Sequence, residues 1–543
     1  MKMLVTGGSG FIGSAFIRYV LTKTTFRGEI INYDALTYAA SPEALVEVCD
    51  DPRYIFIKGD ICDIERLFNE HSITHVVHFA AESHVDRSID SAEPFLQSNV
   101  VGTVRLLEAI KKRPHIRLHH VSTDEVYGSL GDEGEFTETS PYAPNSPYSA
   151  SKAASDHFVR AYAKTYGLQI TTSHCSNNYG PFQHSEKFIP TVICSLMMGR
   201  PIPIYGTGKN VRDWIHVDDH VEAVWTILCS GKIGEVYNIG GGFECTNEEL
   251  ARALIDLYDP SLSNLITYVT DRKGHDYRYA LSNEKIKKEL GWKPKITFKE
   301  GLKQTLQSYS KRVVCVIPAR LHSTRFPKKI LHNIAGKPLV QWTYEAAVST
   351  GLFDKVVVAI DDAETEKVVK SFTSSYVMTS PDCPNGTARM IEVRKQIEAD
   401  VWLNWQCDEP LVTKEMIQTL LQGIYGEEAV WTLKKKCDTD EHDDPNVVKV
   451  VHGEQEKALY FSRQNIPHGE GEKWKHIGIY AFADRVVEKI ANLSPSKLSL
   501  QESLEQLTFL EANIPVYAYT TTSEAVGVDV LEDIKKVLVK LGV

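Results

Sequence analysis

Two stretches of this chain begin alike, roughly three hundred residues apart, and together they limit what it can fold into. MLVTGGSGFIGSAFIRYVL, at 3–21, is a β-branched strand, a glycine turn and a helix with an apolar period near 3.6. VVCVIPAR, at 313–320, follows an amphipathic helix (FKEGLKQTLQSYS) and opens into a loop carrying Arg320, Arg325, Lys328 and Lys329. Nucleotide-binding α/β units begin with such a strand and loop. The sequence therefore predicts two of them in series, residues 1–310 and 311–543.

A chain of 543 residues is too long for one ordinary core, and about three or four domains are expected from length alone. Its 43% hydrophobic and 24% charged composition is that of a globular protein, and the net charge of −11 argues against a nucleic-acid partner. No apolar run approaches the ~18 residues that span a bilayer, and the first strand begins by Met3, leaving no room for a signal peptide. The expectation is a cytoplasmic protein without membrane contact. The ten cysteines are scattered without a CxxC pair, and His75 and His78 fall on opposite faces of a strand, so no zinc site is expected.

In the first loop Gly7, Gly10 and Gly13 permit a tight turn and let a helix N-terminus approach a pyrophosphate. Asp34 ends the next strand, IINYD, about twenty residues on, where a carboxylate takes ribose hydroxyls and favours NAD over NADP. Further alternation (YIFIKGDI, THVVHFAA, LHHVSTDEVYG) predicts a doubly wound parallel sheet. Tyr148 and Lys152 are four apart on a predicted helix and share a face, where an ammonium would lower the phenol toward a range in which it accepts an alcohol proton. Thr123, Asp124 and Glu125 stand just past a strand end. Hydride chemistry alone needs only the Tyr/Lys machinery, so an adjacent acid and base suggest an elimination as well.

GGSGFIGS, AAESHVDRSI, VSTDEVYG, SPYSASKAASDH, CSNNYGP, RDWIHVDDH, YNIGGG and DRKGHDYRYA resemble the dTDP-glucose 4,6-dehydratases, extended short-chain dehydrogenases, across essentially residues 1–310. The resemblance implies a Rossmann sheet with a small substrate-binding subdomain. It implies that Phe11, Ile12, Asp60, Ile61, Ala80, Ala81 and Asn177 join the glycines, Asp34, Tyr148 and Lys152 around NAD. Ser83, Asn178, Lys187, Arg212, Asn247, Asp271 and His275 would meet the nucleotide sugar, with Arg212 on its diphosphate. Tyr148 would deprotonate O4, with Thr123 bonded to that oxygen, while Glu125 removes the C5 proton and Asp124 protonates the departing C6 hydroxyl. A homodimer is implied by this resemblance alone. YAASPEAL departs from the family near the cofactor loop, and thymidine and uridine both remain open as the base.

The second loop has no GxGxxG; PARxxSTRxPxK meets phosphate with charge, which suits a triphosphate. Asp408, after a strand in NWQCDEP, and Asp529, before the last helix, are oxygen ligands suited to Mg²⁺. PAR..STR.P.K, SPDCPNGTAR, NWQCDEP, DPNVVKVV, ALYFSR, HIGIYAF, LEQL and GVD resemble the 3-deoxy-manno-octulosonate (Kdo) cytidylyltransferases over nearly all of 311–543. These are nucleotidyltransferases of Rossmann-like α/β fold, which move CMP from CTP to a 2-keto sugar acid. Carried over, Arg320, Arg325, Lys329 and Arg389 neutralise phosphates, Arg325 and Lys329 being the catalytic pair, and the segment with Gly386 and Thr387 reads cytosine. Gln406, Arg463, His476, Tyr480, Glu505 and Gln506 would face the sugar acid, with Asp408 and Asp529 on Mg²⁺. Cys407, Ala388 and Lys328 stand where the family carries glycine, glutamate and glycine, and IPHGEGEKWKHIG is shorter than the family loop, so the sugar acid stays open. The expected chain is two enzymes in one. The competing possibility is one catalytic domain beside a degenerate one used for binding.

Overall fold

The computed structural model describes all residues except 323–325, 425–427, 524–526, 529–530, 532 and 542–543. The chain divides into two compact units, Met1–Tyr309 and Ser310–Val543. Among the described residues no helix is long and apolar enough to cross a membrane.

In the first unit the strands are β1 (Lys2–Thr6), β2 (Glu29–Asp34), β3 (Tyr54–Lys58), β4 (His75–His78), β5 (Arg117–Thr123), β6 (Gln169–Cys175), β7 (Asn177–Tyr179), β8 (Ile202–Tyr205), β9 (Val211–His216), β10 (Val236–Ile239), β11 (Glu244–Thr246) and β12 (Ile266–Val269). Seven of them form one sheet in the order β10-β6-β5-β4-β1-β2-β3, and every pairing in it is parallel. Parallel neighbours need crossovers, which here are helical and cover both faces. Residues alternate accordingly. Met3 and Val5 of β1 pack with Phe16 and Val20 of the Phe11–Lys23 helix, whereas Leu4 joins the opposite cluster with Ile110 and Val159.

The order reverses between β1 and β4, opening a crevice at the carboxyl ends of these strands, where open α/β sheets bind ligands. β7, β9 and β11 form a small separate sheet, β8 pairs with β12, and the Phe188–Met198, Asn247–Tyr258 and Phe298–Tyr309 helices share a core with them. These elements form a small subdomain with a core of its own, as the resemblance implies. The Pro147–Tyr166 helix starts at a capping box between Ser146 and Ser149, with Pro147 in its first turn, and ends at Gly167 with φ +67°.

The second unit is a mixed α/β sheet. Its strands are β13 (Val313–Ala319), the hairpin β14 (Asn333–Ile334) and β15 (Lys337–Pro338), β16 (Lys355–Ile360), β17 (Tyr376–Met378), β18 (Val401–Asn404), β19 (Val430–Lys436), β20 (Lys449–His452), β21 (Ala458–Ser462), β22 (Trp474–Ala483) and β23 (Val516–Thr520). The main path runs β17-β16-β13-β18-β22-β19-β23, with β22 antiparallel to both neighbours. β13 is buried along its whole length at the middle of the core, so VVCVIP is a central strand.

Glycine is required where the first helix meets its own loop. A Cβ on Gly13 would lie 2.2 Å from the Gly7 carbonyl oxygen and 2.8 Å from the Gly8 Cα, and backbone on both sides has nowhere to go. Gly13→Ala is expected to cost about 1–3 kcal/mol, as overpacking does. The urea midpoint of the full chain should fall, and an unchanged midpoint would contradict this account of the turn.

Candidate active sites

A cavity of about 510 Å³ fills the crevice of the first unit, and the glycine loop, Asp34 and the catalytic candidates all line it. At one end Gly7 takes φ +69°, and a Cβ there would meet the Ala80 backbone at 2.6 Å. Gly10 caps the following helix without any side-chain acceptor, which leaves the first-turn N–H groups, Phe11 and Ile12 among them, facing the cavity. Asp34 ends β2 and accepts N–H bonds from Ser9 and Leu36; burial raises its pKa while those bonds pull it down. Asp60 caps the turn holding Ile61, and its carbonyl accepts the Tyr33 hydroxyl. Ala80, Ala81 and Asn177 complete this wall, and the buried Asn177 Oδ1 has no partner among the described residues. A cradle a Cβ would fill, bare N–H groups, a ribose-type carboxylate and an orphaned amide oxygen fit a dinucleotide.

Deeper in, two elements meet. β5 delivers Thr123, Asp124 and Glu125 as it ends, and the Pro147–Tyr166 helix presents Tyr148 and Lys152. Asp124 is buried; Oδ1 accepts from the Thr123 hydroxyl at 3.3 Å and Oδ2 has no partner among the described residues. Burial, then the neighbouring Glu125 and Asp213, pushes its pKa well up, which favours the protonated form. Burial also raises Glu125, but Arg272, Lys187 and Arg212 oppose this, so three cations favour the Glu125 carboxylate where burial and two anions disfavour that of Asp124. For Tyr148 the expected lowering by Lys152 is not what dominates: burial and the charge of Glu125 carry the phenol up, and a bond with Thr123 pulls the other way. The reason is geometric. The Lys152 ammonium donates to the Val121 carbonyl at 2.9 Å.

Ser83, Asn178 and Lys187 also line the cavity, Lys187 donating to the Ser83 carbonyl at 2.8 Å. Arg212, Asn247, Asp271 and His275 are not in its wall. They sit in the subdomain, where Arg212 is bonded to the carbonyls of Val211, Asp276 and Tyr277 and lies over the Tyr279 ring. His275 pairs with Asp271 at 2.7 Å, and Asn247 opens the Asn247–Tyr258 helix. Sequence reasoning missed Arg272, although it lies between Asp271 and His275 in DRKGHDYRYA. It is the first cation acting on Glu125, and its buried Nε lacks a partner among the described residues.

In the second unit Arg320 is exposed at the end of β13 and Lys328 takes φ +54°. Lys329 is buried and bonds Asp408 at 2.6 Å. Arg325 and Asp529 lie outside the described residues. Asn385 caps the helix that begins Gly386–Thr387, and a hydrogen-bonded chain runs from Glu505 through Thr387 to Asn404 and Gln406. Burial pushes Glu505 up to about 7, and the Thr387 hydroxyl opposes this. Tyr480 and Gln506 are buried, and burial lowers His476 to about 3, its Nε2 bonding the Thr432 hydroxyl. Two of the expected phosphate and sugar contacts are engaged inside the protein. Arg389 is bonded to Asp361 and Thr379, and Arg463 to the carbonyls of Glu502 and Pro445. Asp361, which sequence reasoning missed, also accepts the Leu321 N–H and so ties the basic loop to Arg389.

A family model described as GDP-mannose 4,6 dehydratase matches residues 4–305, and one described as cytidylyltransferase matches residues 314–521. A dTDP-glucose 4,6-dehydratase of Haemophilus influenzae is 52% identical over 332 residues, covering 57% of this chain and 98% of that protein. One from Neisseria meningitidis serogroup B is 49% identical over 331 residues, covering 57% and 93%. Among solved structures, DesIV of Streptomyces venezuelae, a dTDP-glucose 4,6-dehydratase with NAD and TYD bound, is 49% identical with a TM-score of 0.55, covering 57% of this chain and 97% of that one. A UDP-glucose 4-epimerase of Thermus thermophilus in complex with NAD is 31% identical with a TM-score of 0.52, covering 57% and 98%.

Proposed function

The chain belongs to the GDP-mannose 4,6-dehydratase family through its first unit and carries a cytidylyltransferase domain in its second; from that premise we propose a two-site enzyme of nucleotide-sugar chemistry. The first site converts an NDP-glucose, preferably dTDP-glucose, to the 4-keto-6-deoxy sugar. The second transfers CMP from CTP to a 2-keto sugar acid, Kdo or a relative, with release of pyrophosphate. The observation that carries the first assignment is the carboxyl pair at the end of β5. Asp124 is buried with its Oδ2 unpartnered among the described residues and Glu125 faces three cations, beside a buried Tyr/Lys pair in one cavity.

Gly7, Gly10, Gly13, Asp34 and the wall at Asp60–Ile61 would hold NAD, which supplies the hydride acceptor at C4 and then the donor for C6. Tyr148 takes the O4 proton, with Thr123 bonded to that oxygen. The ketone so formed acidifies C5–H, and Glu125 removes it. Asp124 gives its proton to the C6 hydroxyl, which leaves as water. In the second unit Lys329, Arg320 and Arg325 neutralise the triphosphate, and no side-chain nucleophile is needed. Asp408, a hard oxygen donor beside the basic loop, would hold Mg²⁺ together with Asp529, and the ion would draw charge from the leaving pyrophosphate. The Glu505–Thr387–Gln406 chain would face the sugar acid. The two sites are proposed to work independently: Arg212 in the first serves a diphosphate, whereas a CMP-linked acid has a single phosphate and a carboxylate.

Glu125→Gln should lower product formation by ~10²–10⁴-fold, the usual cost of losing a general base, while C4 oxidation persists as reduced cofactor. Wild-type output of the 4-keto-6-deoxy sugar would remove Glu125 from the role. Arg272→Met should raise the Glu125 pKa, because a cation that favours the carboxylate is gone. Since the base acts only when ionised, the acid limb of the pH–rate profile should move to higher pH, and an unmoved limb would contradict that reading. Asp408→Asn should depress Mg²⁺-dependent cytidylyl transfer and leave dehydration at the wild-type rate; unimpaired transfer would remove Asp408 as a ligand.

A further inference from the structure

We propose that Asp156 is a positioning residue for the Tyr148/Lys152 pair: its buried carboxylate clamps the Pro147–Tyr166 helix onto β5 and supplies the counter-charge of the Lys152 ammonium. The inference rests on the dehydratase reading of the first site and deepens it.

Tyr148, Lys152 and Asp156 are spaced by four, so they follow one another along one face of the helix, each a turn from the next. Lys152 and Asp156 are 6% and 5% exposed. Both grip the same strand at consecutive residues. Lys152 donates to the Val121 carbonyl, and the Asp156 carboxylate accepts from His120 on Oδ1 at 2.9 Å and from the Ser122 hydroxyl on Oδ2 at 2.9 Å. Thr123, Asp124 and Glu125 follow directly. Asp156 therefore holds the strand on either side of the lysine's acceptor and sets the register between the helix that carries Tyr148 and the strand end that carries the acid and base.

Two further donors, Tyr142 at 3.1 Å and His174 at 3.0 Å, converge on Oδ2. Burial alone would raise this carboxyl, yet the His120 and His174 bonds hold it well below the usual carboxylate range, so it stays an anion. Burial lowers Lys152, and the Asp156 charge is the first influence that raises it again. The other titratable groups facing the cluster are Tyr127, bonded to His174 from behind, and Arg160, which acts on Tyr142. Around Lys152 stand Cys175 on β6 and His78 on β4, and Tyr148 faces Asp124 and Glu125. Burial holds His78 well down, and burial lowers His120 too, so Asp156 is the fixed anion of this group. A carboxylate that merely stapled the fold would not need to lie one turn from the catalytic ammonium.

Asp156→Asn keeps the size of the side chain and removes the charge. When the full-length, NAD-loaded protein is mixed with dTDP-glucose, the burst of reduced-cofactor absorbance reads hydride transfer from C4 before Asp124 and Glu125 act. The alkaline limb of its rate is expected to move down by about 1–2 pH units, the size of a buried charge-pair effect. A second measurement needs no turnover. Trace acetylation of the NAD-stripped full chain across pH, with the Lys152 peptide quantified by mass spectrometry, reads the titration of this amine itself. It is expected to fall by the same amount, and Asp156→Glu, which keeps the charge, to move it back toward wild type. An unchanged Lys152 titration in Asp156→Asn overturns the proposal, as does an unmoved burst profile. A wild-type chain that gives no burst while its Lys152 titration still shifts on Asp156→Asn overturns the dehydratase reading and leaves the coupling standing. If Asp156→Asn fails to fold, Ser122→Ala removes one donor from the carboxylate with every ring in place. It should slow the burst while the Lys152 titration stays in place, because the carboxylate keeps its charge, and a wild-type burst rate there also overturns the proposal.

Discussion

The ammonium of Lys152, buried and bonded to the carbonyl of Val121, fastens the Pro147–Tyr166 helix to β5 just before that strand ends in Thr123. The proposed chemistry of the first unit depends on this contact. The helix brings the phenol, the strand brings the carboxyls, and neither set is of use without the other in register. The cost of such an arrangement is a cation taken out of water, which is tolerable only with hydrogen bonds and an opposing charge nearby. Backbone carbonyl and carboxylate are both present, the carbonyl on Val121 and the carboxylate bonded to His120 and Ser122 on either side of it.

The two units are proposed to meet phosphate differently, and each proposal follows from its loop. In the first, bare backbone approaches the cofactor cavity, which requires glycine at Gly7 and Gly13, where any side chain would strike main chain. In the second, β13 opens into a loop of cations, one of which, Lys329, is already matched by Asp408. The Lys329 ammonium and the Asp408 carboxylate lie 2.6 Å apart, so each charge meets its opposite as it leaves water. The pairing also places the neutralising group beside the oxygen proposed to hold the metal.

Much of this was legible in the sequence because it depends on local spacing. A strand, a glycine turn and a helix announce themselves, and residues four apart on a helix share a face; both predicted loops sit at the ends of buried strands. What escaped were groups brought together only by the sheet. Asp361 contacts Arg389 and Leu321 across strands, and Arg272 reaches Glu125 from a subdomain loop 147 residues on (272 − 125). Arg389, Arg212 and Arg463 read from the sequence as phosphate and sugar contacts, and the structure places each in bonds to its own protein first. An arginine has five donors, so internal bonds do not forbid a ligand, but they fix the direction from which it must come.

The central claim is that one cavity removes hydrogen from C4 and delivers it to C6 without exchanging it with water. The most direct test is to give the purified full chain, carrying NAD, dTDP-glucose deuterated at C4 and to locate the label in the product by NMR and mass spectrometry. The account expects a 4-keto-6-deoxy sugar that has lost one water and carries the deuterium at C6. A product whose C6 holds only solvent-derived hydrogen, or one that keeps its C6 hydroxyl, would contradict it.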